Sequence, residues 1–327
     1  MTAQPTLLIA ARTPTGGLWR WDGATGPAEQ VADAPDTAFV LPLPDGRVIT
    51  LGGEEDGHLR IFERRADRYA VVAELATKGG QPCHAALLPD REHLVVVNYY
   101  LEGSLLVVGL TGSPRIVQRI VLAGPGAEVV PGRQEAPHPH FALVTGDWVV
   151  VSDLGCDALR LFRWDGRAVA QVGACATPPG SGPRHLAVHG ASLVVSAELS
   201  NEVLAAPLAD VLAGAAQWRA QPASRTAFTS AHDGDGPLTH PGEITVAASG
   251  RVFVANRGAG TLGLLDVSGG AAGLRFDTEI DAGGSWPQHV ALRHNEPYIA
   301  LRDDDLVIGP GGRACVPSPV WVAFLDE

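Results

Sequence analysis

The chain has 327 residues, 46% of them apolar, which is enough for a large core and too hydrophobic for a disordered polymer. Its 39 glycines and 25 prolines favour many turns over long helices, and no run nears the ~20 apolar residues of a membrane helix. A net charge of −12 repels phosphate backbones and anionic lipid headgroups, so nucleic acid and membrane partners are not expected, and an anionic ligand would need a local cluster of arginines.

The N-terminus has no basic start, and its apolar run from Thr6 to Ala11 is too short for a secretory signal, which predicts a cytoplasmic location. Leu7-Leu8-Ile9-Ala10 and Leu18-Trp19-Arg20-Trp21 read as two strands. A module then recurs down the chain. It opens with Pro-x-His or a variant, runs through an apolar segment, turns, and continues into a β-rich run that ends on a polar residue. Phe39-Val40-Leu41 with Arg47-Val48-Ile49-Thr50-Leu51 is a weak first copy. Pro82-Cys83-His84 leads to Leu94-Val95-Val96-Val97-Asn98, and Pro139-His140 to Trp148-Val149-Val150-Val151-Ser152-Asp153. Pro183-Arg184-His185 leads to Leu193-Val194-Val195-Ser196-Ala197-Glu198, Pro241-Gly242-Glu243 to Val252-Phe253-Val254-Ala255-Asn256, and Pro287-Gln288-His289 to Tyr298-Ile299-Ala300-Leu301-Arg302.

Starts near 38, 82, 139, 183, 241 and 287 give a step of roughly 43 to 58 residues, the length of four short strands with turns. Six modules span roughly residues 24 to 310. The two N-terminal runs and Pro319-Val320-Trp321-Val322-Ala323-Phe324 remain, and neither end can bury its faces alone. The expected fold is therefore all-β: a seven-bladed β-propeller, one domain over residues 1–327, closed by N- and C-terminal strands that share a blade. Residues 207–215 read as one short helix, and residues 124–137 and 229–239 as long loops beside the binding site. Cys83, Cys156, Cys175 and Cys315, with no C-x-x-C pair, read as reduced and mostly buried thiols.

In such a ring the first strand of each blade lines the channel, and the turn after the second strand lies on the same face. That places His84, His138, His140, Arg184, His185, Glu243, Gln288 and His289 near Asn98, Asp153, Glu198, Asn256 and Arg257 around one mouth. A His, Arg and Glu-lined concavity suits acid–base chemistry. Such side chains equally suit hydrogen-bond ties between blades, and His185 and His289, at repeated positions, fit that role best. Arg184 and Arg257 each need an anion or a carboxylate partner.

Other motifs fall away. Gly258-Ala259-Gly260-Thr261-Leu262-Gly263 matches a dinucleotide fingerprint, but a β run follows it where a helix is required. His138-Pro139-His140 has no third ligand at local spacing, and Asp303-Asp304-Asp305 reads as a solvated turn. No metal and no cofactor are expected.

With these motifs laid out, the chain resembles the seven-bladed β-propeller lactonases, which include bacterial 6-phosphogluconolactonases and fungal carboxy-cis,cis-muconate cyclases. The likeness is carried by Pro82-Cys83-His84 with Asn98-Tyr99, Arg133-Gln134 before His138-Pro139-His140, and Asp153-Leu154-Gly155. It continues through Gly182-Pro183-Arg184-His185, Glu198-Leu199, Glu243-Ile244, Asn256-Arg257-Gly258, Trp286-Pro287 and Ser318-Pro319-Val320. It implies a metal-independent site built from His140 (or His138), Arg184 and Glu198, with Arg133 and Arg257 to bind anions; the convergence of the blade starts adds His84, His138, Glu243 and His289 as expected substrate contacts. In that scheme His140 activates water, Arg184 stabilises the oxyanion, and Glu198 orients a partner or protonates the leaving alkoxide.

The implied activity is hydrolysis of a sugar lactone, 6-phosphogluconolactone being one candidate. The alternatives are lactonisation of a carboxymuconate-type acid, and a propeller that binds a ligand or protein without catalysis. The expected partner is a small lactone or organic acid, and the expected assembly a monomer or weak homo-oligomer.

Overall fold

The structure, a computed structural model, describes residues 5–24, 26–226 and 239–325. Val95, Val96 and Val97, like Val149, Val150 and Val151, are fully buried, because each second strand is covered on both faces by neighbouring blades. Such runs read as unbroken β-branched stretches instead of alternating ones. At the rim the pattern changes: Arg115–Val121 alternates exposed and half-covered positions, as an outermost strand with one wet face should.

Seven four-stranded antiparallel sheets result. The first strands of blades one to six are Thr37–Pro42, Gly80–Leu87, Pro139–Thr145, Pro183–His189, Pro241–Val246 and Pro287–Arg293. The seventh blade takes its first strand, Pro319–Phe324, from the C-terminus, and its other three, Leu7–Ala11, Gly17–Trp21 and Glu29–Asp33, from the N-terminus. Ile9 pairs with Val322 across that join, so the ring is fastened by backbone hydrogen bonds and exposes no strand edge there. Expectation and structure differ in one boundary. Glu29–Asp33 completes the seventh blade, so the first blade begins at Thr37 and not near residue 24.

The cores lie between blades. Val95, Val97, Leu105 and Val107 of blade two pack on Val149, Val151 and Phe162 of blade three, and the other gaps are filled in the same way. The short helix is present as Leu208–Leu212. Of the two predicted loops, residues 124–137 join blades two and three; residues 229–238 lie outside the described part. All four cysteines are free, but only Cys175 is fully buried, and Cys315 is exposed, because it lies on an outer strand.

One local irregularity recurs and decides what the channel contains. In every blade the pairing of first and second strands slips at the start of the first strand, as between Pro82 and His84 or Pro287 and His289. A bulge of this kind cancels the usual alternation over one residue. Two consecutive residues per blade then serve the channel, one at the mouth and one beneath it.

Candidate active site

The upper residues of these pairs include Cys83, His140, Arg184 and Gln288, and they line a cavity of about 630 Å³ at the mouth. A second set comes from the ends of the second strands: Tyr99, near the end of its strand, and Arg12, Glu198, Arg257 and Arg302, each just past one, line the same cavity. Here the sequence reading is off by one. Asn98 and Asn256 turn into their blades, where their amides donate to Thr77 O and Ala223 O, and Asp153 accepts from Arg160 Nε at 2.6 Å. Strand alternation gives the mouth to the next residue along.

Glu198 is the centre. Arg257 Nη2 donates to its Oε2 at 2.6 Å, Arg133 Nη2 donates to Oε1 at 2.5 Å, and Arg184 Nε lies 2.8 Å from Oε2. Burial works against the charge of Glu198, but Arg257, Arg184 and Arg133 outweigh it and hold the carboxyl well below its ordinary range. Held in this way by three guanidinium groups, the carboxyl of Glu198 suits orienting a partner better than protonating a leaving alkoxide.

Each arginine is placed by local structure. Gly180 and Gly182 donate backbone N–H to the buried carboxylate of Asp157 at 2.6 and 2.7 Å, fixing the turn that leads into Arg184. Gly182 has φ +57, and a Cβ there would meet Leu199 Cγ at 2.4 Å, so both backbone and space demand glycine. Ser152 Oγ of blade three donates to Arg184 O at 2.5 Å. Arg133 rides on the loop of residues 124–137, pinned by its buried neighbour Gln134, which donates to Leu154 O and accepts from Val130 N. Arg257 donates through Nε to His240 O at 3.0 Å.

Arg184 is only 5% exposed, and its Nε and Nη1 have no aligned hydrogen-bond acceptor among the described residues; the contact with Glu198 is close but not pointed. Burial first, then the like charge of Arg257, brings its pKa down to about 10, so it is still a cation. His140 borders the same space. Its Nδ1 is buried without a partner, and burial, then Arg184 and His185, keep the ring neutral with a pKa well below its ordinary value.

Beneath the mouth the lower residues of the seven pairs form a closed collar. Phe39, His84, Phe141 and His185 pack in turn at ring separations of 5.0, 3.7 and 4.9 Å, edge-on, stacked and tilted respectively. Glu243 Oε2 lies 2.9 Å from His185 Nδ1 and 3.2 Å from His289 Nε2. His289 then packs on Trp321 at 3.9 Å, and Trp321 on Phe39 at 4.6 Å. His185 and His289 thus tie blades together, as their repeated positions suggested.

The collar also separates the predicted site residues. His140, Arg184, Glu198, Arg133 and Arg257 meet at the mouth. His84, Glu243 and His289 instead border a smaller cavity of about 380 Å³ further along the channel, because the bulge sets them one level down. Their expected role as substrate contacts in the mouth is corrected. His138 is corrected too: it is buried against Tyr99, ring on ring at 4.6 Å, with Nε2 toward Glu135. Among the described residues no three His, Cys, Asp or Glu side chains are grouped to hold a metal ion.

Sequence reasoning missed Arg12, Tyr99, Arg302 and Cys83 as lining residues, and His240 as the support of Arg257. Arg12 and Arg302 were findable, since each follows its second strand as Arg257 does.

Fold and mouth together define an all-β ring protein with a cationic cleft on its axis: five arginines against three carboxylates. The chain belongs to the family described as Lactonase, 7-bladed beta-propeller, which matches residues 18–306. It is 26% identical over 269 residues to the 6-phosphogluconolactonase of Bacillus subtilis (strain 168), covering 76% of this chain and 74% of that one. Among solved structures, the periplasmic gluconolactonase of Pseudomonas aeruginosa superposes with a TM-score of 0.82 at 22% identity over 98% of each chain. A Lactobacillus plantarum protein gives 0.85 at 19% over 99% of this chain and all of the other. At these identities the solved structures speak for the fold. Among the described residues no helix is long and apolar enough to cross a membrane.

Proposed function

We propose that this protein hydrolyses an anionic sugar lactone at the channel mouth, with 6-phosphogluconolactone as the first candidate. One observation carries the reading: Arg184, a buried cation with two nitrogens lacking an aligned acceptor, faces a cavity large enough for a sugar acid. A purely structural arginine would be satisfied by neighbouring blades.

In this reading Arg257 and Arg133, already neutralised in part by Glu198, hold the substrate's phosphate or carboxylate. The lactone carbonyl oxygen lies against Arg184, whose N–H groups without an aligned acceptor take up the negative charge that develops on attack. A neutral imidazole of the mouth removes a proton from water as its oxygen bonds to the carbonyl carbon. The resulting imidazolium returns that proton to the ring oxygen as the C–O bond breaks, leaving a hydroxy acid. Glu198 keeps three cations together before substrate arrives and lowers the cost of the arrangement.

The excess of arginine at the mouth of a chain with net charge −12 supports an anionic substrate over a neutral one. The test is acid release from a panel of phosphorylated and unphosphorylated aldonolactones and carboxymuconolactone, with and without EDTA, by wild type and Arg184→Ala. Turnover with preference for the anionic lactones, lost in the variant, is expected. No turnover of any lactone would overturn the reading.

A further inference from the structure

We propose that His185, not His140, is the imidazole that accepts the proton, and that Glu243 and His289 form the support that holds it ready. This rests on the lactonase reading above and assigns its base.

The argument begins with ring protons. His289 Nδ1 lies 3.4 Å from Val322 N, a donor, so the ring proton of His289 sits on Nε2, which faces Glu243 Oε2 at 3.2 Å. The other Glu243 oxygen, Oε1, accepts the backbone N–H of Ile244 at 3.1 Å. Glu243 is thus arranged as an acceptor on both oxygens. His185 Nδ1, 2.9 Å from Oε2, must carry a proton to bond to it. That leaves Nε2 of His185 as the basic nitrogen, with no protein partner among the described residues, on the one collar histidine that also lines the mouth.

The arrangement is a base oriented by a carboxylate, which also compensates the positive ring once the proton has been taken. His140 lacks this. Its Nδ1 is buried without a partner, no carboxylate fixes its tautomer, and it adjoins His185 at a ring separation of 5.1 Å. It is placed to contact substrate or the attacking water beside the base. The position of Glu243 is unusual in the collar: the other six members are rings, and the only carboxylate is the one that meets His185. Ser196 Oγ fixes both partners, accepting from His185 N at 3.1 Å and donating to Gly242 O at 3.0 Å.

The titratable groups around the pair are Arg184 on the same strand as His185, Arg257 in the blade of Glu243, and His84, His140 and His289 from other blades, all cationic or neutral, and the carboxylate in contact with His185 is that of Glu243. Binding of an anion at the arginines above would ease protonation of His185, coupling substrate binding to the base.

Two measurements test this. The first needs no turnover: imidazole nitrogen and carbon shifts of histidine-labelled wild type, with His185 assigned by its loss in His185→Gln. The expected signature is a proton on Nδ1; a proton on Nε2 would overturn the proposal even if lactones are hydrolysed. The second is kinetic. His185→Gln should lower kcat on the order of 10²-fold or more. Glu243→Gln, which keeps the shape and removes the charge, should lower kcat about tenfold with KM within threefold. His140→Gln should act mainly on KM. Wild-type kcat in Glu243→Gln, or full activity in His185→Gln, would refute the assignment, whereas inactive wild type refutes the lactonase reading and leaves the tautomer result standing.

Discussion

Glu198→Gln gives the sharpest test of how the mouth is held together. The substitution keeps the side chain's size and removes the charge shared by Arg133, Arg184 and Arg257, which lie at 2.5, 2.8 and 2.6 Å. Arg184 and Arg257 have side chains 6% and 11% exposed, so their loss is not made good by water. Arg133 is 34% exposed, and its share is screened. Leaving buried charge uncompensated costs about 3–5 kcal/mol, and that loss is expected here at neutral pH.

The pH dependence has a definite sign. The folded carboxyl titrates well below its ordinary 4.5, so its contribution is complete above the unfolded value and is lost as pH falls through the folded one. In equilibrium urea unfolding, the gap between wild type and variant should stay constant through the neutral range and close in acid. Inorganic phosphate, binding the freed guanidiniums, should raise the variant's stability more than the wild type's. A variant within about 1 kcal/mol of wild type at neutral pH, with no extra gain from phosphate, would refute the view that one carboxylate organises the three arginines.

Three further outcomes follow from the geometry. His138→Phe should leave kcat and KM within about threefold, because the ring stacks on Tyr99 outside the cavity; a tenfold rise in KM would return His138 to the site. Burial pulls the pKa of His84 down to about 3, so its neutral ring contributes stability above the ordinary 6.5 that is lost as pH falls toward 3. His84→Phe, still stacked on Phe141, should therefore shift acid unfolding to lower pH in a circular-dichroism titration, at a neutral-pH cost of about 1–2 kcal/mol for the acceptor lost by Ala142 N. Gly155→Ala would set a Cβ 1.8 Å from Ala136 O, displacing the loop that carries Arg133; a lower melting temperature and a higher KM for anionic lactones are expected, and an unchanged KM would show that the loop does not depend on that contact.

The ring was legible because its signal is a period. Each opening proline and each buried valine run recurs at blade length, and the two chain ends had no other place to bury their faces. The first blade's boundary was not legible, since Glu29–Asp33 is a polar outer strand with only Val31 and Ala32 buried. Within the site, Arg184 and Glu198 stood out as charges at strand ends. What failed was phase. Asn98 and Asn256 carry the polar character that suggests a mouth, yet Tyr99 and Arg257 are the residues that line it, while Leu154, which follows Asp153, is buried against Val130 and Leu199. A sequence shows that a strand ends; it does not show on which residue the sheet's alternation has arrived.

The bulge at each first strand is the deeper reason His84, Glu243 and His289 lie one level below the mouth where the sequence reading set them, and it also explains how the site can exist. With strict alternation, Arg184 and His185 would point to opposite faces of their sheet, and one of them would be lost to the blade interface. The slip between Pro183 and Leu186 lets both serve the channel, one tier above the other. The proposed oxyanion donor and the proposed base then come from adjacent residues of one strand, the first facing Glu198 and the second Glu243. Two carboxylates on different levels keep opposite company: Glu198 is driven fully ionised by arginines, while burial raises the pKa of Glu243 among neutral imidazoles. That contrast fits the proposed division of labour, a fixed charge at the level of binding and a carboxyl beside the proposed base at the level of proton transfer.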